Sequence, residues 1–209
     1  MPMPTDFSFD ADGWCAAARQ VPSPNCDDRS NGIAVDLLII HNISLPPGEF
    51  DGAYIEALFC NQLDYDAHPY FAQLRDLRVS AHFLVRRDGS LVQFVSTDRR
   101  AWHAGASKFQ ERALCNDFSI GIELEGTDTA PFEPAQYRTL VPLSLALQAR
   151  YGLANVVGHE HVAPGRKTDP GPFFDWQGYR KACLRAHFRG APGASADTMM
   201  CFAGDPPVA

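Results

Sequence analysis

The sequence has no run of basic residues, no apolar stretch long enough to span a bilayer, no CxxC pair and no GxSxG element. With a net charge of −7 from 25 acidic and 18 basic residues, the first two absences leave nucleic acids and membrane surfaces without a footprint, so neither is expected as a partner. The missing elbow removes the strand–turn–helix serine hydrolases. Cys15, Cys26, Cys60, Cys115, Cys183 and Cys201 occur in a chain of 209 residues, long enough to bury a core without covalent staples, and they read as free thiols. The opening MPMPTDFSFDADGWCAAARQ carries acids early and no basic start leading into an apolar stretch, so no export signal is read and a cytoplasmic location is expected.

What is present is ordinary for a globular protein: 45% hydrophobic and 21% charged residues. One domain and a monomer are expected. Its core is placed at 34–188, after an irregular lead-in at 1–33 whose end, VPSPNCDDRSNGI, is rich in turn formers. The segment 189–209 is rich in Gly, Ala and Pro and lacks an apolar period, so it is expected to be a mobile or loosely laid tail.

Within that core, Val35 to Ile40 is almost wholly apolar, as in a strand covered on both faces, and it ends at His41 and Asn42. Helical spacing of Tyr54, Ile55, Leu58 and Phe59 predicts a short helix, and a second short one begins near Pro69. Two β-rich runs, 81–86 and 90–95, flank Asp88-Gly89 and predict a hairpin. In SIGIELEG, Ile120, Ile122 and Leu124 share one face while Gly121, Glu123 and Glu125 share the other. A helix starting at Pro134 is expected to kink or divide at Pro142, and Asp175 is expected to cap a last helix that turns Trp176, Tyr179, Cys183 and Phe188 inward. Together these elements predict an α+β fold, a mixed β-sheet flanked by helices.

Chemistry concentrates in GHEHVAPGRKTDPGP at 158–172, which reads as a polar loop between two helices. Zinc accepts imidazole nitrogen and carboxylate oxygen, and hydrolytic sites use three protein ligands with a fourth position for water. His159 and Asp169 can supply two, and His41, at the end of a rigid strand, a third. His161 competes with His159, and spacing does not choose between them. Glu123 and Glu125 are likewise inseparable on their strand, and an exposed loop lysine such as Lys167 is by itself commonplace.

Five blocks, HNISLPPGEF (41–50), VSAHFLVRRDGSLVQFV (79–95), AWHAGAS (101–107), CNDFSIGIELEGTDT (115–129) and GHEHVAPGRKTDPGP (158–172), resemble the AmpD-type N-acetylmuramoyl-L-alanine amidases, in that family's order and over most of the chain. The resemblance implies a zinc amidase domain over 34–188, one Zn²⁺ per chain held by His41, His159 and Asp169, Glu123 as general base and Lys167 as the cation at the transition state. It also implies a small muropeptide substrate in peptidoglycan recycling, the 1,6-anhydro form. Asn42, Trp102 and His103 fall within the matching blocks, Arg78 directly precedes one, and all four are expected along the substrate groove, with Arg78 or Arg112 gripping a peptide carboxylate. The rival reading is a recognition module of related fold that binds muropeptides without cutting them.

Overall fold

The apolar run beginning at Val35 lies near the centre of a seven-stranded sheet. The structure is a computed structural model that describes residues 5–30, 32–190 and 199–203. Its strands are β1 (Arg19–Gln20), β2 (Cys26–Asp28), β3 (Leu37–Ile43), β4 (Phe83–Val85), β5 (Leu91–Gln93), β6 (Arg99–Ala101), β7 (Lys108–Phe109), β8 (Arg112–Ala113), β9 (Ser119–Glu125), β10 (Asn155–Gly158) and β11 (Cys201–Phe202). The α-helices are α1 (Tyr54–Phe59), α2 (Pro134–Tyr151), α3 (His159–Val162) and α4 (Trp176–Gly190), with a 3₁₀ turn at Pro69–Leu74. The main sheet runs β1-β5-β4-β9-β3-β10-β11; β2 pairs with β6 and β7 with β8 in two small ribbons.

β4, β9, β3, β10 and β11 are mutually parallel, whereas β5 runs antiparallel to β4, so the expected mixed sheet is present. The hairpin closes through Gly89, whose φ of 86° suits a residue without Cβ, with Val85 opposite Leu91. On one face, Leu38, Ile40, Ile120, Ile122 and Leu124 pack against Leu140, Leu143 and Leu147 of α2 and Tyr179 and Cys183 of α4. On the other, Leu84, Val92 and Phe94 meet Ile55, Leu58 and Phe59 of α1, while Leu37, Ile39 and Val157 pack with Cys115 and Phe118. With both faces covered, all seven residues of β9 are buried.

Several expectations are corrected. The lead-in at 1–33 is not wholly irregular, since β1 adds a parallel edge strand beside β5. Of the tail, residues 191–198 and 204–209 lie outside the described residues, but Met200 and Phe202 are buried and β11 adds the opposite edge beside β10. Helix α2 passes through Pro142 as one element; Arg138, whose carbonyl loses its usual donor, is exposed to water, and the leucine face on both sides of the proline holds the helix to the sheet. Segment 158–172 follows a strand, β10, and opens with α3, so it is not simply a loop between helices. Asp175 caps α4 as expected, accepting from the Gly178 N–H at 2.8 Å, and Tyr179 and Cys183 are buried, but Phe188 is exposed.

One fastening has no counterpart in the sequence reading. The Arg29 guanidinium donates to four backbone carbonyls, those of Asn116 and Asp117 (both 3.1 Å), Thr97 (3.3 Å) and Ser119 (2.9 Å). Desolvation pulls its pKa down to about 10, still high enough to keep it charged at neutral pH. It therefore ties the N-terminal segment to the start of β9. Replacing Arg29 by Met keeps the aliphatic stem and strips the donors, leaving carbonyls unpaired at about 1–3 kcal/mol for a fully buried one. Thermal unfolding of Arg29→Met is expected roughly 5 °C or more below the parent, given about 2–4 °C per kcal/mol for a chain of this size; a shift under about 2 °C contradicts the fastening.

Candidate metal centre

The parallel ladder sets the site. In β3 the odd positions Leu37 and Ile39 point away from α2 and α4, and His41 continues that row; in β9, Ser119, Gly121 and Glu123 form the matching row, with His41 opposite Glu123. Gly158 pairs with Ile40, so His159 emerges at the C-terminal end of the neighbouring strand β10. Three strand ends thus deliver three functional groups to one side of the sheet. Ligand sites in open sheets with parallel strands occupy the same end.

His41 Nδ1, His159 Nδ1 and Asp169 Oδ2 form a nearly equilateral triangle, with separations of 3.0 Å between the imidazoles, 3.1 Å from His41 to Asp169 and 3.0 Å from His159 to Asp169. This is the group among the described residues able to hold a metal ion. Both imidazoles are buried, at 1% and 2% exposure. Burial pushes the His41 imidazolium down to about 4, which leaves a neutral ring at pH 7. For Asp169 burial acts upward, but the His159 and His41 rings against it outweigh burial and hold the carboxyl below the usual range. Neutral imidazole and ionised carboxylate are the protonation states that ligands require.

His161 is excluded by geometry. It is two residues past His159 on α3, accepts the Gly158 N–H on its own Nδ1 at 2.9 Å, and packs against Trp176 at 5.7 Å between ring centroids.

The structure also separates the two acids of β9. Glu125 is fully buried and engaged: Arg86 Nη1 (2.8 Å) and the Asp51 N–H (3.0 Å) donate to Oε1, and the Arg87 N–H donates to Oε2 at 3.2 Å. Glu123 is 8% exposed and its Oε2 has no hydrogen-bond partner among the described residues. Burial pushes the Glu123 carboxyl well above its ordinary range, the Asp169 charge adds to this, and Lys167 opposes it. Lys167 itself is exposed and its ammonium enters no ion pair among the described residues.

A groove of about 700 Å³ opens over the triangle and is lined in part by Asn42, Arg78, Trp102, Glu123 and Lys167. Of the expected groove residues, Asn42 uses Nδ2 to donate to Asp128 Oδ1 (2.6 Å) and the Pro170 carbonyl (3.1 Å), so it braces the segment carrying Asp169. Arg112 is not in the groove; it pairs with Asp36 at 2.5 Å and stacks over the Phe118 ring at 3.6 Å, on another surface. Arg78 remains at the groove wall. His103 also lines the groove, as expected, but is mostly buried, with Nδ1 2.9 Å from His41 Nε2.

Sequence reasoning missed Asp128, which accepts from Asn42 and from Thr168 Oγ1 (2.5 Å) and so joins the end of β3 to the Lys167–Asp169 segment. It also missed Arg166, which donates to the Ala104 and Ala106 carbonyls, both at 2.7 Å. Asp128 lies inside the block 115–129, but its role depends on partners 40 and 86 residues away.

A carboxyl whose pKa is raised on folding binds its proton in the native state at pH values where the unfolded chain, near pH 4.3, has released it, so native stability is lost as pH rises. In zinc-free protein, Glu123→Gln should therefore gain in melting temperature relative to the parent as pH goes from about 4 to 8, by a few degrees in all. A difference between variant and parent that does not grow with pH tells against the desolvated acid.

The profile of the N-acetylmuramoyl-L-alanine amidase family matches residues 31–172. The 1,6-anhydro-N-acetylmuramyl-L-alanine amidase AmpD of Citrobacter freundii is 57% identical over 171 residues, covering 81% of this chain and 91% of the relative. A crystal structure of a selenomethionine AmpD derivative aligns with a TM-score of 0.81 at 57% identity, covering 83% of this chain and 98% of that one. A second solved structure, the N-acetylmuramyl-L-alanine amidase AmiD from Escherichia coli in complex with anhydro-N-acetylmuramic acid-L-Ala-D-gamma-Glu-L-Lys, aligns with a TM-score of 0.53 at 32% identity, covering 80% and 67% of the two chains. By its sequence blocks, its sheet and these relatives, the chain belongs to the N-acetylmuramoyl-L-alanine amidase family.

Proposed function

We propose that this chain is a zinc-dependent amidase that hydrolyses the amide joining the lactyl group of 1,6-anhydro-N-acetylmuramic acid to L-alanine in muropeptides released during peptidoglycan recycling. The observation that carries the reading is the triangle of His41, His159 and Asp169 beside a buried carboxylate, Glu123, with an unpartnered oxygen. The donors fit zinc: nitrogen and oxygen ligands about 2.0–2.1 Å from Zn²⁺ at tetrahedral angles stand roughly 3.3 Å apart, close to the separations of 3.0 to 3.1 Å found here. Zinc in such a set supplies Lewis acidity, lowering the pKa of water toward about 7 and polarising a carbonyl.

In this reading Glu123, which a bound dication would keep ionised, takes a proton from the attacking water and delivers it to the alanine nitrogen as the C–N bond breaks. Lys167 presents N–H donors and positive charge to the scissile carbonyl oxygen as it becomes anionic. Asn42, Trp102 and Arg78 line the groove that holds the sugar and stem peptide, with Arg78 suited to a peptide carboxylate. Asn42, Asp128 and Thr168 keep the segment bearing Lys167 and Asp169 against the end of β3.

A binding-only module is the weaker alternative, because a buried carboxylate oxygen without a partner costs stability and recognition alone gives it no use. The amidase domain is assigned to 34–188, with 1–33 and 189–209 as flanks. A monomer in the cytoplasm fits six free cysteines and a net charge of −7, and no helix among the described residues is long and apolar enough to cross a membrane.

Release of peptide from an anhydromuramyl-peptide, followed by chromatography, should be abolished by chelator and restored by zinc. Glu123→Ala is expected to lower kcat by about 10²–10⁴ with zinc still bound stoichiometrically; undiminished turnover removes Glu123 from the reaction. Lys167→Met should lower kcat by on the order of 10², whereas a change in KM alone makes it a ground-state contact.

A further inference from the structure

A line of hydrogen bonds runs from the backbone into the donor triangle, and its direction is set at the far end. The Cys115 carbonyl can only accept, so Ser119 Oγ donates to it at 2.6 Å. That leaves Ser119 Oγ as acceptor for His103 Nε2 at 3.2 Å, which puts the ring proton of His103 on Nε2 and a lone pair on Nδ1. His103 Nδ1 lies 2.9 Å from His41 Nε2, which must then carry the proton. The remaining nitrogen of His41, Nδ1, faces the triangle with its lone pair free.

The seat of the His103 ring is shaped for it. A Cβ at residue 121 would lie 2.5 Å from His103 Nδ1, so the glycine in β9 is what lets the ring lie flat on the sheet between Ser119 and His41. Asn116 Oδ1 accepts the backbone N–H groups of His103 (3.2 Å) and Ala104 (2.8 Å), fixing the segment. The next residue does the same for the second imidazole: the Ala104 carbonyl accepts from His159 Nε2 at 3.1 Å, leaving His159 Nδ1 bare.

We propose that His103 is a positioning residue which, backed by Ser119, locks His41 in the tautomer that offers Nδ1 to the metal. It acts through His41. The proposal rests on reading His41, His159 and Asp169 as zinc donors. Such outer partners of metal-bound histidines are worth about 10–100-fold in metal affinity.

Zn²⁺ affinity, measured by competition with a chromophoric chelator, and the protonation of the His41 ring nitrogens, read by ¹⁵N NMR in zinc-free protein, test it together. His103→Leu is expected to weaken zinc binding by about 10–100-fold and to mix the His41 tautomers. His103→Gln, whose amide can accept from His41 and donate to Ser119, should recover most of that affinity. Ser119→Ala, which leaves the ring in place and touches no ligand, should weaken binding by roughly several-fold and mix the tautomers too.

Parent-like affinity and an unchanged His41 tautomer in both His103→Leu and Ser119→Ala overturn the proposal, and so does a glutamine variant as weak as the leucine one, which would make the ring a packing element. If the leucine variant does not fold, Ser119→Ala decides alone. Failure of the parent to bind zinc instead overturns the metal reading, and the tautomer in zinc-free protein then still judges the hydrogen-bond line.

Discussion

The seven-pair parallel ladder between β3 and β9 is the constraint from which the site follows. It sets His41 beside Glu123, and because side chains alternate along both strands, it also assigns their faces: apolar rows go to the helices α2 and α4, and the rows ending in His41 and Glu123 go to the groove. A slip of one residue in either strand would put an imidazole or a carboxylate under α2. The apolar contacts on the helix side thereby guard the chemistry on the other, since every leucine and isoleucine in those rows opposes that slip.

Burial on both faces gives the site its electrostatics. Within this sheet an imidazole loses its tendency to protonate and a carboxyl loses its tendency to ionise unless a partner compensates. Asp169 has two compensating histidines and Glu125 has Arg86, whereas Glu123 has only the distant pull of Lys167. The same low-dielectric environment thus sorts three acids into one shared by two imidazoles, one anchored by Arg86 and one left with an unpaired oxygen among the described residues. Their different fates come from neighbours, since all three are ordinary carboxylates in sequence.

That sorting marks the boundary of what could be read from the sequence. β3 was legible because six consecutive residues are nearly all apolar, and the hairpin because Asp88-Gly89 separates two β-rich runs. The faces of β9 were legible from simple alternation. β10 was not, since Asn155–Gly158 is four residues long and takes its strand character from β3 rather than from its own pattern. Glu123 could not be told from Glu125 because the difference is Arg86, 39 residues upstream, and Arg29 could not be singled out because its partners are carbonyls of any residue type. His103 was placed in the groove by its block; its place behind His41 depends on Gly121 and Ser119, which carry no chemical signature of their own.

Both borders of the main sheet are supplied from outside the span 31–172 that typifies the family: β1 closes it beside β5 and β11 beside β10. A shortened chain cut to that span would bare two rows of amide and carbonyl groups, one of them on the strand that leads into His159. Bare strands of this kind recruit other chains. The flanking residues therefore act as selvedges, keeping the fabric from fraying and from being sewn to its neighbours.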